Sequence, residues 1–154
     1  MLEKVSKYIL LLVAAIIAGC STTKVIPAGE SRLKENEIKI LNSRTYQASE
    51  LEPYLKQKPN TYFFWGWNPF INLYNWENGK GKGWDKFVEK IGQAPVVFNP
   101  SLVSDSKKNI LNHLTYQGYY NSKVRDSIVT RRKITTVYYN VELGKQYLID
   151  SVKW

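Results

Sequence analysis

The sequence predicts an α+β fold in which two helices lie on one face of a small three-stranded sheet. Three observations carry this. Val137, Tyr139, Val141 and Leu143 alternate with Thr136, Tyr138, Asn140 and Glu142, the period-two pattern of a strand with one buried face. Asn99-Pro100 pairs a helix N-cap with a proline at the first helical position. Val103, Ile110, Leu111 and Leu114 then mark one face of the helix that follows. Finally, the elements run strand, helix, aromatic interruption, helix, hairpin, which places both helices between sheet strands.

The N-terminus is read first as a targeting segment. Lys4 and Lys7 precede the apolar run Ile9 to Ile16, and Ala18-Gly19 precede Cys20, the one cysteine. Charge, a short apolar core and small residues form a secretory signal, residues 1–19. A membrane span needs about 20 apolar residues, and Tyr8 to Ala18 supplies about half of that. Cysteine directly after the small pair predicts a lipoprotein, because only its thiol can take up a diacylglyceryl group. The mature chain then begins at Cys20. With no second cysteine it has no intrachain disulfide, so its core must stabilise it.

Residues 20–33 read as a tether, and 34–145 as the domain. Glu37 to Leu41 forms the first strand, and Asn42-Ser43 breaks it. Ser49 opens the first helix, with Glu52 three residues later completing a capping box. Pro53 sits in its first turn, and Leu51, Tyr54 and Leu55 share a face. Lys58-Pro59-Asn60 ends it.

An aromatic insertion of about 60–92 follows, running from Tyr62 through Trp65, Trp67, Phe70, Tyr74 and Trp76. It includes a glycine-rich loop, Asn78 to Gly83, and a short helix from Trp84 to Ile91. Gly118 stops the helix that begins at Pro100. Ser122 to Val129 is the next strand, Thr130 to Lys133 a polar turn, and Gly144-Lys145 a second turn. Residues 146–154 start another strand, belonging to a truncated following domain.

Net charge is +9. Export makes nucleic acid an unsuitable partner, which leaves acidic membrane surfaces or acidic protein faces. His113, the sole histidine, falls on the helix side away from the apolar stripe. One histidine and one acylated cysteine build no ordinary zinc site. The carboxylates Asp85, Glu89, Asp105 and Asp126 are scattered among cations. No metal, cofactor or catalytic constellation is predicted, and the chain does not read as an enzyme.

The β-α-α-β-β order, with a glycine-aromatic step after the second helix, resembles a POTRA domain. Ile91 to Phe98, Asn109 to Leu114 and Gly118-Tyr119-Tyr120-Asn121-Ser122-Lys123-Val124 are similar to the Bacteroidetes translocation-and-assembly-module lipoproteins (TamL), a BamA/TamA-like outer-membrane assembly family. So are Thr23 to Glu30 and Leu55 to Asn60. That family ends in a membrane barrel of many alternating strands, and none of these residues supplies them. The chain is therefore expected to be an N-terminal fragment or a truncated copy.

The resemblance implies a domain that faces the periplasm, anchored by lipid at the outer membrane. It also implies that unfolded outer-membrane proteins or assembly partners add to the second strand. The candidate edge residues are Lys123, Val124, Arg125, Ser127 and Ile128. Two alternatives stand beside it. Trp65, Trp67, Phe70 and Trp76 could bind a glycan or other ligand, or the domain could serve only as a structural dock.

Overall fold

In a computed structural model of the chain, the described residues are Thr23, 25–61, 69–74, Gly83 and 92–148. The chain divides into two compact units, residues 1–25 with 61–95, and 26–60 with 96–154. In the first, helix α1 spans Pro69–Tyr74, and the Gln93 N–H donates to the Phe70 carbonyl at 3.1 Å. The second holds the sheet.

Strands β1 (Arg32–Ile40), β2 (Lys123–Arg131) and β3 (Ile134–Glu142) lie in the order β1-β3-β2. β1 runs parallel to β3, and β2 antiparallel to it. Two 3-10 turns and helix α2 (Pro100–Tyr116) lie between β1 and β2 in the chain. The result is the two-helix, three-stranded α+β arrangement. β1 begins at Arg32, earlier than the Glu37 read from alternation, because a register shift between Leu33 and Glu35 breaks the period there.

β3 alternates as its sequence requires. Thr135, Val137, Tyr139 and Val141 are buried, with Leu143 just beyond the strand, whereas Thr136, Tyr138 and Asn140 are half-buried on the other face. The core joins these residues to Leu33, Leu51, Leu55, Val103, Ile110 and Leu114. Each such aliphatic side chain contributes about 1.5–3 kcal/mol on burial. Asn99 caps α2, its Oδ1 accepting from the Ser101 N–H at 3.0 Å. Leu111 is half-buried, and the fourth position of the stripe belongs instead to Ser106.

Ser106 is 1% exposed. Its hydroxyl donates to the Leu102 carbonyl at 2.6 Å and accepts from the Lys56 N–H at 2.9 Å. A serine in a buried stripe thus fastens the segment after the 3-10 turns to α2.

The first predicted helix forms differently. It consists of two consecutive 3-10 turns, Ala48–Glu50 and Glu52–Tyr54, with Leu51 fully buried between them. Glu50, Leu51, Tyr54 and Leu55 each donate to the carbonyl three residues back. Pro53 has no N–H to continue an α-helical ladder, so the run divides there. The capping contact also shifts: the Gln47 N–H donates to Glu50 Oε1 at 3.2 Å, in place of the Ser49–Glu52 pair.

The turn between β2 and β3 is tighter than the sequence suggests. Thr130 and Arg131 belong to β2, leaving Arg132 (φ 49°) and Lys133 (φ 62°) as a two-residue loop. Left-handed φ at both positions suits the strand twist of a hairpin, but costs a non-glycine residue roughly 1–2 kcal/mol each. Gly118, at φ 87°, closes α2 as expected.

Of the residues after β3, 143–148 are described. Tyr119 and Gln146 form a single antiparallel bridge, and the Tyr147 N–H donates to the Gly118 carbonyl at 2.9 Å. Gly144 lies so close to this loop that a Cβ would overlap the Tyr120 carbonyl oxygen.

Two stability predictions follow from these contacts. Ser106→Ala leaves the Lys56 N–H without its acceptor and lowers unfolding free energy by about 1–3 kcal/mol in urea titration. Gly144→Ala costs about 1–3 kcal/mol through backbone overlap. An unchanged urea midpoint for either variant would refute the corresponding contact.

Candidate edge-strand site

β3 is the central strand, so among the described residues β2 has one paired rim and one open rim. Which of its backbone groups face outward follows from a single hydrogen bond. The Leu41 N–H donates to the Val141 carbonyl at 2.9 Å, so Val141 directs its backbone groups toward β1. Val124, opposite Val141, is then a non-hydrogen-bonded partner across the antiparallel ladder, and turns its own N–H and C=O away from β3.

Alternation extends this to Asp126, Ile128 and Thr130, opposite Tyr139, Val137 and Thr135. The two-residue hairpin loop gives the same phase, because the flanking pair Arg131–Ile134 is hydrogen-bonded in such hairpins. Lys123, Arg125, Ser127 and Val129 spend their backbone groups on β3.

The predicted edge residues therefore separate into two sets. Val124 and Ile128 carry the outward backbone groups, with side chains toward the helix face. Lys123, Arg125 and Ser127 project their exposed side chains from the opposite face. Ile128 is 41% exposed and Val129 39%, so both sides of the rim offer apolar surface. Two outward positions, Asp126 and Thr130, were missing from the sequence-derived set. Only the hairpin register, fixed by the short loop, could have located them.

Asp126 pairs with Lys107 of α2 at 2.5 Å, and Thr130 Oγ1 shares a 2.7 Å hydrogen bond with Thr135 Oγ1. The Lys107–Asp126 pair sets a charge between Val124 and Ile128. A charge so placed on an edge strand opposes indiscriminate pairing.

The other rim of the sheet is partly occupied. The Leu33 N–H donates to the Val96 carbonyl and the Phe98 N–H to the Ser31 carbonyl, both at 2.8 Å, across an Arg32–Val97 bridge. Gln57 holds that flap: its Nε2 donates to the Val97 carbonyl at 2.6 Å, and its Oε1 accepts from the Asn99 N–H at 3.0 Å. Asn60 Oδ1 accepts from the Val96 N–H at 2.9 Å. These contacts give the Leu55 to Asn60 step its structural role and leave β2, among the described residues, as the freer rim.

His113 is half-buried, not on the surface as its helix position suggested. Its ring stacks on Tyr54 at 4.0 Å between centroids. Cys20, Trp65, Trp67 and Trp76 lie outside the described residues, and Phe70 is half-buried in α1. Among the described residues no cluster of His, Cys, Asp and Glu could hold a metal ion.

At the end of the sheet where β3 leaves, Thr45, Tyr46, Glu50, Gln117, Tyr119 and Gln146 line an open groove of about 470 Å³. The Tyr46 hydroxyl donates to Gln117 Oε1 at 2.8 Å, and its ring meets Tyr119 edge to face at 5.5 Å. Burial, then the nearby Glu50 carboxylate, then Tyr119 and Tyr54, push the Tyr46 phenol up to about 12.

Residues 33–144 match the family model POTRA, surface antigen variable number repeat. The match covers most of the chain, which belongs to the POTRA family. POTRA domains are non-catalytic and bind polypeptide partners in outer-membrane protein assembly, on the periplasmic side. No curated protein matches the chain.

Tyr46 gives a prediction in pH. Its phenol stays neutral in the folded state to about pH 12, whereas the unfolded chain ionises near 10. Its contribution to stability is full below pH 10 and is lost as pH rises toward 12. Tyr46→Phe should flatten the fall in urea-measured stability across that window, at a cost of about 1 kcal/mol at neutral pH. An equally steep fall in the variant would assign the pH dependence elsewhere.

Proposed function

We propose that this chain is the periplasmic front part of a lipid-anchored outer-membrane assembly factor of the translocation-and-assembly-module lipoprotein type. Its β2 rim receives an extended segment of a client or partner polypeptide. The observation that carries this is the row of outward backbone groups at Val124, Asp126, Ile128 and Thr130. Successive members of that row lie about 7 Å apart, the spacing at which an added strand presents its own groups.

Main-chain pairing tolerates many sequences, which suits a domain that handles unfolded barrels. Specificity comes from the flanking surface. Ile128 and Val129 offer apolar contact, Lys123 and Arg125 offer charge on the face away from the helix, and the Lys107–Asp126 pair disfavours an apolar side chain at its level.

Anchoring follows from the lipoprotein signal at Cys20, which tethers the domain to the membrane where clients fold. Mass spectrometry of the mature N-terminus is expected to find diacylglyceryl-modified Cys20. A mature chain still beginning at Met1 would remove the anchor.

Proline substitution tests the rim directly. Ile128→Pro deletes an N–H that the fold does not use, so the melting temperature changes little. A photocrosslinker at Val129 should lose its outer-membrane precursor adducts at least about tenfold in that variant. Ser127→Pro, which deletes an N–H donated to β3, should instead destabilise the sheet. Undiminished crosslinking by a folded Ile128→Pro chain would rule out strand addition at this rim.

A further inference from the structure

We propose that the β2–β3 hairpin tip binds the surface of an anionic phospholipid bilayer, with Arg32 as an inner donor to a headgroup phosphate. Arg131, Arg132 and Lys133 are consecutive and exposed. The two loop positions are left-handed, yet carry long cationic side chains in place of the asparagine and glycine that would relieve the strain. Cross-strand register sets Arg32 and Arg131 on either side of Ile134, so a fourth cation joins the same end of the sheet.

Arg32 is only 5% exposed, and its Nε is buried without a hydrogen-bond partner. A buried guanidinium donor left open favours an anion with several acceptor oxygens. A phosphate diester is such a group. Among the described residues, the carboxylates of the neighbouring segments are Glu30, which is exposed, and Glu35, 3.9 Å from Lys34, so cations predominate there.

The location favours a bilayer over a free anion. Lys133 Nζ donates to the carbonyls of Ile26 at 3.0 Å and Pro27 at 3.4 Å, so the N-terminal segment returns to the hairpin tip. Ile26 lies six positions after Cys20, a reach of about 20 Å when extended. A lipid at Cys20 would therefore be held within that reach of Ile26, whose carbonyl Lys133 contacts. A lipid-held chain would bring these cations to the headgroups and direct the groove end of the sheet away from them. This part of the argument rests on the anchoring proposed above, whereas the cation cluster and the open Arg32 donor do not.

The test uses the full chain, purified from membranes with its lipid and inserted into nanodiscs. Nitrogen-15 spectra are compared in zwitterionic discs and in discs containing about one third phosphatidylglycerol. The Arg32 Nε–H and the amides of Arg131 to Lys133 should shift only in the anionic discs. Those shifts should disappear at 1 M salt, where the Debye length is about 3 Å.

Arg131→Gln with Arg132→Asn removes two charges but keeps the Lys133 contacts and puts a residue tolerant of left-handed φ in the loop. That variant should melt at the same or a higher temperature and lose the lipid-dependent shifts. Identical spectra in both discs, or shifts retained by the variant, would overturn the proposal. So would inorganic phosphate reproducing the shifts in zwitterionic discs, since it would mark a free-anion site. None of these outcomes bears on precursor crosslinking at β2, so the two proposals fail separately.

Discussion

β3 forms backbone ladders on both rims, and the rest of the domain depends on that double pairing. A strand bonded on both sides must be central, and in this three-stranded sheet that leaves β2, among the described residues, with an unpaired rim. Its buried face, Val137, Tyr139 and Val141, gives α2 and Leu51 a surface to cover. Its carbonyls toward β1 set the phase of its bonds toward β2, and that phase decides which β2 residues look outward. Core, topology and candidate binding rim therefore share one register.

The hairpin loop protects that register. A two-residue connection leaves β2 no freedom to slip against β3, and a slip by one residue would bring Lys123, Arg125 and Ser127 to the core face. Left-handed φ at Arg132 and Lys133 is the local cost of the tight turn. Its charged composition has no advantage for the turn itself, where asparagine or glycine would relieve the strain.

Much of the scaffold was legible in the sequence because its signals are local. Alternation along β3, the Asn99-Pro100 cap and the Gly118 stop each act over a few residues and reappear in the structure. The first helix misled because Pro53 tolerates a first turn but cannot sustain the next, so packing of Leu51 is met by 3-10 geometry. Ser106 was overlooked because polarity masked its place in a buried stripe. The Lys107–Asp126 pair, the Gln57 clamp on the 96–99 flap and the outward set on β2 all need long-range register, which composition and periodicity do not carry.

Amide hydrogen exchange of the free and client-bound chain tests the central claim most directly. In the free protein, Val124, Asp126, Ile128 and Thr130 should exchange quickly, while Arg125, Ser127 and Val129 are protected by β3. Addition of an extended outer-membrane precursor peptide should slow the first set and leave the second unchanged. Protection of the first set before any peptide is added, or no change after peptide binding, would contradict the account.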